Sequence, residues 1–223
     1  MRKEAISGPV VDLLQELRQH DEMRVKKLLD AGLLTRLLKA NVKEVNLDSF
    51  EQILGLKGPP SPLRITRNFF GTIDGARQVL KKAGISVGIW GNEMLAEASK
   101  VEKSDRLAME EVCMVFISNE ALGYPCQFTH REIFVSAAKR GLQKCIIDDA
   151  IAARIQYRLQ PYDMHIRIAM DAVPDKNGSK SIFRLDCTDE NGLSIDGIWG
   201  DLDKVWSNRE GEPTYWAFIQ PEG

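Results

Sequence analysis

The chain has 223 residues, of which 43% are hydrophobic and 28% charged, and 30 Lys and Arg residues nearly balance 32 Asp and Glu residues. This is the composition of an ordinary globular protein, and a chain of this length buries enough surface to fold without a disulfide or a metal. The formal net charge of -2 excludes a strongly basic nucleic-acid wrapper and an acidic solvating tail as the character of the whole chain.

Targeting signals are not evident in the sequence. Arg2 and Lys3 are followed by no apolar run, so we predict no secretory signal. No stretch of about 18 apolar residues occurs, which excludes a membrane-spanning helix. The four cysteines lack the close spacing of zinc ligands, and we expect reduced thiols at Cys113, Cys126, Cys145 and Cys187. We therefore expect a cytoplasmic protein that does not bind membranes.

The N-terminal part is predicted to be helical. Leucines recur three or four positions apart between residues 10 and 38, which is typical of amphipathic helices. The run Gly58-Pro59-Pro60-Ser61-Pro62 then breaks any regular structure. We place a boundary there, between a helical segment at residues 1–57 and an α+β domain at residues 63–223. The leucine stripe is either a core face or a docking element for a protein partner.

Local signals predict several elements after the break. We expect helices at Ile73 to Lys82 and at Asn92 to Lys100, and a buried strand at Val112 to Ser118. Thr129 and Glu132 have the spacing of a capping box, which predicts a helix from there to Arg140. We expect His130, at the start of this helix, to lie on the surface.

From residue 152 onward, apolar and polar residues alternate, which is the period of a β-strand. Residues 153–187 are predicted to form two successive hairpins that turn at Pro161-Tyr162 and at Asn177-Gly178. The second turn predicts the cross-strand pairs Asp171 with Arg184, Met170 with Leu185, and Ile168 with Cys187.

Two further strands, around Ile195 to Trp199 and around Tyr215 to Ile219, would complete a meander. The predicted fold class is α+β, with the helical N-terminal segment followed by helices packed on a C-terminal antiparallel β-meander at about residues 152–219.

Dispersed motifs extend from Phe70 to the second half of the chain. They include Ile89-Trp90-Gly91-Asn92-Glu93-Met94-Leu95, Leu122-Gly123-Tyr124, Arg154-Ile155-Gln156-Tyr157 and Gln160-Pro161. Over roughly residues 70–220 the chain resembles a family of small uncharacterised bacterial proteins. The family has no assigned activity, so the resemblance implies a bacterial source and no catalytic residue.

Motifs for cofactors and metals are missing from the sequence. Neither phosphate-binding Gly-rich loop occurs, and neither H-E-x-x-H nor G-x-S-x-G is found. The histidines His20, His130 and His165 are too far apart to show metal-ligand spacing. We expect no cofactor and no metal.

The polar face of the predicted sheet is the candidate ligand site. It is predicted to gather Arg154, Gln156, His165, Arg167, Asp171 and Arg184. Arginines bind an anionic group through paired hydrogen bonds, and a histidine exchanges a proton near neutral pH. The alternative is a solvated face on which Asp171 and Arg184 form only a cross-strand ion pair. Tryptophans at 199, 206 and 216 are expected in the core, or as a stacking surface for a base or sugar.

Three functions remain open. The first, which we favour, is a non-enzymatic module that binds a protein or a small ligand. The second is a metal-independent, RNA-directed nuclease of toxin type that uses His165 with Arg154 and Arg167, and Asp171 or Asp186 as a base. The third is a DNA-binding protein that uses basic residues between 64 and 82. Whether the protein is an enzyme is left open.

Overall fold

The computed structural model describes residues 62–101, 108–158, 160, 164–175, 178–188, 192–207 and 214–221. The helices predicted between residues 10 and 38, and the break at residues 58–61, lie outside the described residues. The division of the chain at residues 57–63 therefore stays a prediction.

Four helices and ten strands are found in the described ranges. The helices are α1 Ile73–Lys82, α2 Ile89–Val101, α3 His130–Ala138 and α4 Ile147–Gln156. The strands are β1 Leu63–Arg67, β2 Ser86–Val87, β3 Glu110–Ser118, β4 Gln127–Thr129, β5 His165–Ile168, β6 Val173–Pro174, β7 Lys180–Thr188, β8 Gly192–Trp199, β9 Val205–Ser207 and β10 Tyr215–Gln220.

Elements with a local signal confirm the sequence analysis. Helix α1 has the predicted bounds, and the Thr72 hydroxyl accepts the N–H of Gly75 at 2.9 Å at its start. In the predicted capping box, Thr129 Oγ1 accepts the N–H of Glu132 at 3.2 Å, and the Glu132 carboxylate accepts the N–H of Thr129 at 2.7 Å. Helix α3 then ends at Ala138, two residues before the predicted end.

The large sheet is mixed, so the prediction of helices on a C-terminal antiparallel meander is wrong. Its strand order is β1-β3-β10-β5-β7-β8-β2, with β6 paired to β7. The β10–β5 and β2–β8 pairs are parallel, and the other pairs are antiparallel. Strand β10 lies in the centre because Trp216, Ala217 and Phe218 are all buried, which suits a strand covered on both faces.

The predicted hairpin at Pro161-Tyr162 is also wrong, because residues 153–156 of its first strand belong to helix α4; the two turn residues lie outside the described ranges. Residues 150–153 read Ala-Ile-Ala-Ala, and alanine has the highest helix propensity. The Asp149 carboxylate accepts the N–H of Ile146 at 2.9 Å and so caps the helix. The alternation of apolar and polar residues marks strand β5 at His165–Ile168, but at residues 154–156 it falls on a helix.

The second hairpin forms with a register that differs from the predicted one. Arg184 lies opposite Arg167 instead of Asp171, and Leu185 lies opposite Ile166 instead of Met170. Near the turn, Val173 pairs with Ser181, close to the predicted alignment. Residues 169–172 separate β5 from β6 and belong to neither strand. These extra residues shift the register in which β5 pairs with β7, relative to that of β6 with β7.

The two faces of the large sheet are covered by different elements. Helices α2 and α4 pack on the face that contains Ile166, Leu185 and Ile195. Helix α3 and the β4–β9 ribbon pack on the opposite face, against Trp216. Trp216 is in register with Arg167, so the polar residues of β5 and β7 lie beside this second layer.

Candidate anion-binding site

Four polar residues form a patch on the second face of the sheet, which we call the arginine face. They are His165 and Arg167 on β5, and Arg184 and Asp186 on β7. His165 lies opposite Asp186, and Arg167 lies opposite Arg184. Because side chains two positions apart on a strand point the same way, all four share one face.

Asp186 holds two of these residues in place. Its Oδ1 lies 2.6 Å from Nδ1 of His165, and Nε of Arg184 lies 2.8 and 2.9 Å from its two oxygens. The Asp186 side chain is 7% exposed, whereas those of His165 and Arg184 are 42% and 35% exposed. The Asp186 carboxylate is therefore occupied by its two neighbours, while the His165 imidazole and the Arg184 guanidinium reach solvent.

Arg167 has no such partner among the described residues. Its guanidinium carbon lies 4.5 Å from the ring centroid of Trp206, 5.4 Å from that of Phe128 and 5.5 Å from that of Trp216. Nη1 is inaccessible to water and has no hydrogen-bond acceptor. Burial, and then repulsion by Arg184, lower the pKa of Arg167 to about 10, so it remains a cation at neutral pH.

His130 completes the aromatic wall beside Arg167. Its ring is fully buried and stacks on Trp206, with 5.5 Å between centroids and 1° between planes, and it meets Trp216 edge-on at 5.0 Å. Burial, followed by the charge of Arg167, lowers its pKa to about 4. We name Phe128, His130, Trp206 and Trp216 the aromatic box.

The aromatic box is unusually poor in hydrogen bonds. Both ring nitrogens of His130 and Nε1 of Trp206 and of Trp216 are buried with no partner in the described residues, as is Nη1 of Arg167. Buried polar atoms in proteins are nearly always bonded, so one unbonded nitrogen of Arg167 and four more in the rings around it mark this region as exceptional. Sequence reasoning missed His130, which was wrongly expected at the surface. The one sequence feature that could have indicated its burial is the close spacing of the rings at positions 128, 130 and 134.

The structure places three predicted site residues away from the arginine face. Arg154 is fully buried on α4, where it donates to Gln160 Oε1 at 2.6 Å, to the Asp186 carbonyl at 3.3 Å and to the Tyr157 carbonyl. Gln156 exchanges two hydrogen bonds with the backbone of Thr66. Asp171 is exposed and pairs with Lys144, not with Arg184. Arg154 thus supports the backbone of β7 from the helical side.

The basic stretch considered for DNA binding also makes internal contacts. Arg67 donates to both carboxylate oxygens of the buried Asp149 and to Glu110. Arg77 donates to the carbonyl of Asn92 at 2.8 Å. At least these two arginines therefore bind groups of the chain itself.

Within the described ranges, no group of three or more His, Cys, Asp or Glu side chains is placed to bind a metal ion. The helices described here do not include one with the length and apolar character needed to cross a membrane. Comparison with protein-family models, with curated proteins and with solved structures finds no match to this chain. The resemblance to a bacterial family therefore stays a prediction, and the functional argument depends on the geometry of the arginine face.

Proposed function

We propose that this protein is a binding module for a small ligand with an anionic group, phosphate or carboxylate, which docks on the arginine face. The observation that carries the proposal is Arg167, a largely buried cation whose Nη1 has no hydrogen-bond acceptor among the described residues. Burying a charge without a partner is costly, so such a charge is retained where a ligand supplies the partner.

The charges around Arg167 support the same conclusion. Arg167 and Arg184 are adjacent cations, and Asp186 is committed to Arg184 and His165. Asp196 lies opposite Arg184 on β8, but its Oδ1 accepts the N–H groups of Gly91 at 2.8 Å and of Gly197 at 2.7 Å. An anion between the two guanidinium groups would compensate the positive charge that Asp186 and Asp196 do not neutralise, and it would accept paired hydrogen bonds.

Titration calorimetry at low ionic strength, with inorganic phosphate, pyrophosphate and citrate as probes, tests the proposal. We expect saturable binding of at least one probe, weakened about tenfold or more by Arg184→Gln, because a charge-assisted hydrogen bond is lost. The matched control is Arg131→Gln, which removes an exposed arginine paired with Asp203 outside the face. Absence of saturable binding, or equal weakening by the control, would contradict the proposal.

A second variant separates binding from stability. Arg167→Met replaces a desolvated cation by a linear apolar side chain that fills the same space among the rings. We expect it to abolish anion binding and to leave the melting temperature unchanged or higher. A lower melting temperature would show instead that Arg167 is held for structural reasons.

The His165–Asp186 pair favours a second candidate, a metal-independent nuclease. A carboxylate 2.6 Å from Nδ1 orients an imidazole so that Nε2 can take the proton of a ribose 2′-hydroxyl, with the arginines on the phosphate. This candidate predicts cleavage of labelled RNA in the presence of a chelator, lost in His165→Asn, while inorganic phosphate still binds. Phosphate binding without any RNA cleavage would exclude the nuclease and support the binding module.

A further inference from the structure

A cleft of about 140 Å³ lies between helix α2 and strands β6, β7 and β8. Helix α2 forms one wall through Trp90, Glu93 and Met94, and strands β6, β7 and β8 form the remainder, with Asp175, Lys180 and Trp199 among the lining residues. A volume of this order accommodates one small ring or one short branched group. We call it the tryptophan cleft.

Two tryptophans leave much of their rings in solvent at this cleft. Trp90 and Trp199 are each 46% exposed, and their rings meet edge to face at 6.3 Å and 85°. A single exposed aromatic residue is ordinary, but two that line one cavity offer a large apolar surface for a ligand to cover.

Gly197 on β8 makes the close approach of the two tryptophans possible. A Cβ at that position would lie 2.9 Å from Cβ of Trp90 and 3.0 Å from Sδ of Met94. The glycine therefore lets helix α2 approach the strand closely, and this approach sets Trp90 beside Trp199. The cleft is a result of the packing of helix on strand.

Among the residues that line the cleft, carboxylates outnumber ammonium groups. Glu93 and Asp175 contribute two carboxylates and Lys180 one ammonium group. The positive N-terminus of α2 is already met by Asp196, which accepts the Gly91 N–H. Trp199 also takes a cation within the chain, since Nζ of Lys204 lies 4.6 Å from its ring centroid.

We propose that the tryptophan cleft binds a small organic cation, an alkylammonium or quaternary ammonium group, between the tryptophan rings and the carboxylates of Glu93 and Asp175. Aromatic faces attract such groups through their quadrupole, and carboxylates nearby add Coulombic attraction. The proposal is independent of the anion bound at the arginine face, so either can fail without the other.

Choline and its neutral isostere 3,3-dimethylbutan-1-ol are the probes, and the indole N–H signals of the ¹⁵N-labelled full chain are the readout. We expect choline to shift the Trp90 and Trp199 signals, assigned with Trp90→Phe and Trp199→Phe, in a saturable manner. The neutral isostere should bind about tenfold more weakly, since it lacks the cation–π and Coulombic contributions.

Charge variants give the matched controls. Glu93→Gln should weaken choline binding and Lys180→Gln should strengthen it, whereas Glu97→Gln, one turn further along α2 and paired with Lys100, should change nothing. Equal affinity for the two probes, equal shifts at all four tryptophans, or no shift at millimolar choline would each overturn the proposal.

Discussion

Replacing Arg154 by leucine should lower the free energy of unfolding by about 3–5 kcal/mol, because buried acceptors lose their donor. The guanidinium satisfies Gln160 Oε1, the Tyr157 carbonyl and the Asp186 carbonyl from a fully buried position. Arg154 was predicted on the polar face of a strand, and it is buried on a helix instead. Urea denaturation followed by circular dichroism measures the loss.

Arg158→Leu is the control for this loss. Arg158 is exposed four residues later, and among the described residues its side chain donates only to the carbonyl of Ala83, at 3.4 Å from each Nη. Its replacement should change the free energy of unfolding by no more than about 0.5 kcal/mol. Equal effects of the two variants would show that the contacts of Arg154 contribute no special stability.

Acid should destabilise the fold through His130. The pKa of this imidazole is about 4 in the folded protein, against 6.5 in the unfolded chain, because burial disfavours its charged form. Between these pH values the unfolded chain binds a proton that the folded chain does not. Stability is therefore complete above pH 6.5 and falls as the pH drops toward 4, by about 3 kcal/mol from this one group.

His130→Phe keeps a ring against Trp206 and removes the titration. Other groups also titrate in this range, so the quantity to compare is the change in unfolding free energy between pH 7.5 and pH 4, in parent and variant. We expect the change to be smaller in the variant by about 3 kcal/mol. Identical pH dependence in the two proteins would place the acid sensitivity elsewhere.

The elements that could be predicted from sequence are those specified by adjacent residues. A cap such as Thr129 with Glu132 lies within four positions, so α3 could be located without knowing its neighbours. The central position of β10 depends on pairing with residues about one hundred positions earlier, and no local pattern encodes that. Helix α4 was missed because alternation after residue 154 was given more weight than the alanines before it.

The arginine face was partly predictable even though the register was wrong. Arg184 was expected opposite Asp171 and lies opposite Arg167, which is a shift of four residues. An even shift keeps every side chain on its own face of the strand, so His165, Arg167 and Arg184 still share one face. The aromatic box could not be predicted, because His130 is buried by the β4–β9 ribbon, whose strands are distant in sequence.

The central position of β10 has a consequence for how the protein is made. Strands β1 and β3 on one side, and β5, β7, β8 and β2 on the other, belong to one sheet only through β10. Pairings between distant residues form slowly, because the chain loses entropy before the contacts reward it. During synthesis β3 and β5 emerge with open edges, which are templates for wrong pairing. The chain is therefore most prone to aggregation in the interval before residues 215–220 leave the ribosome.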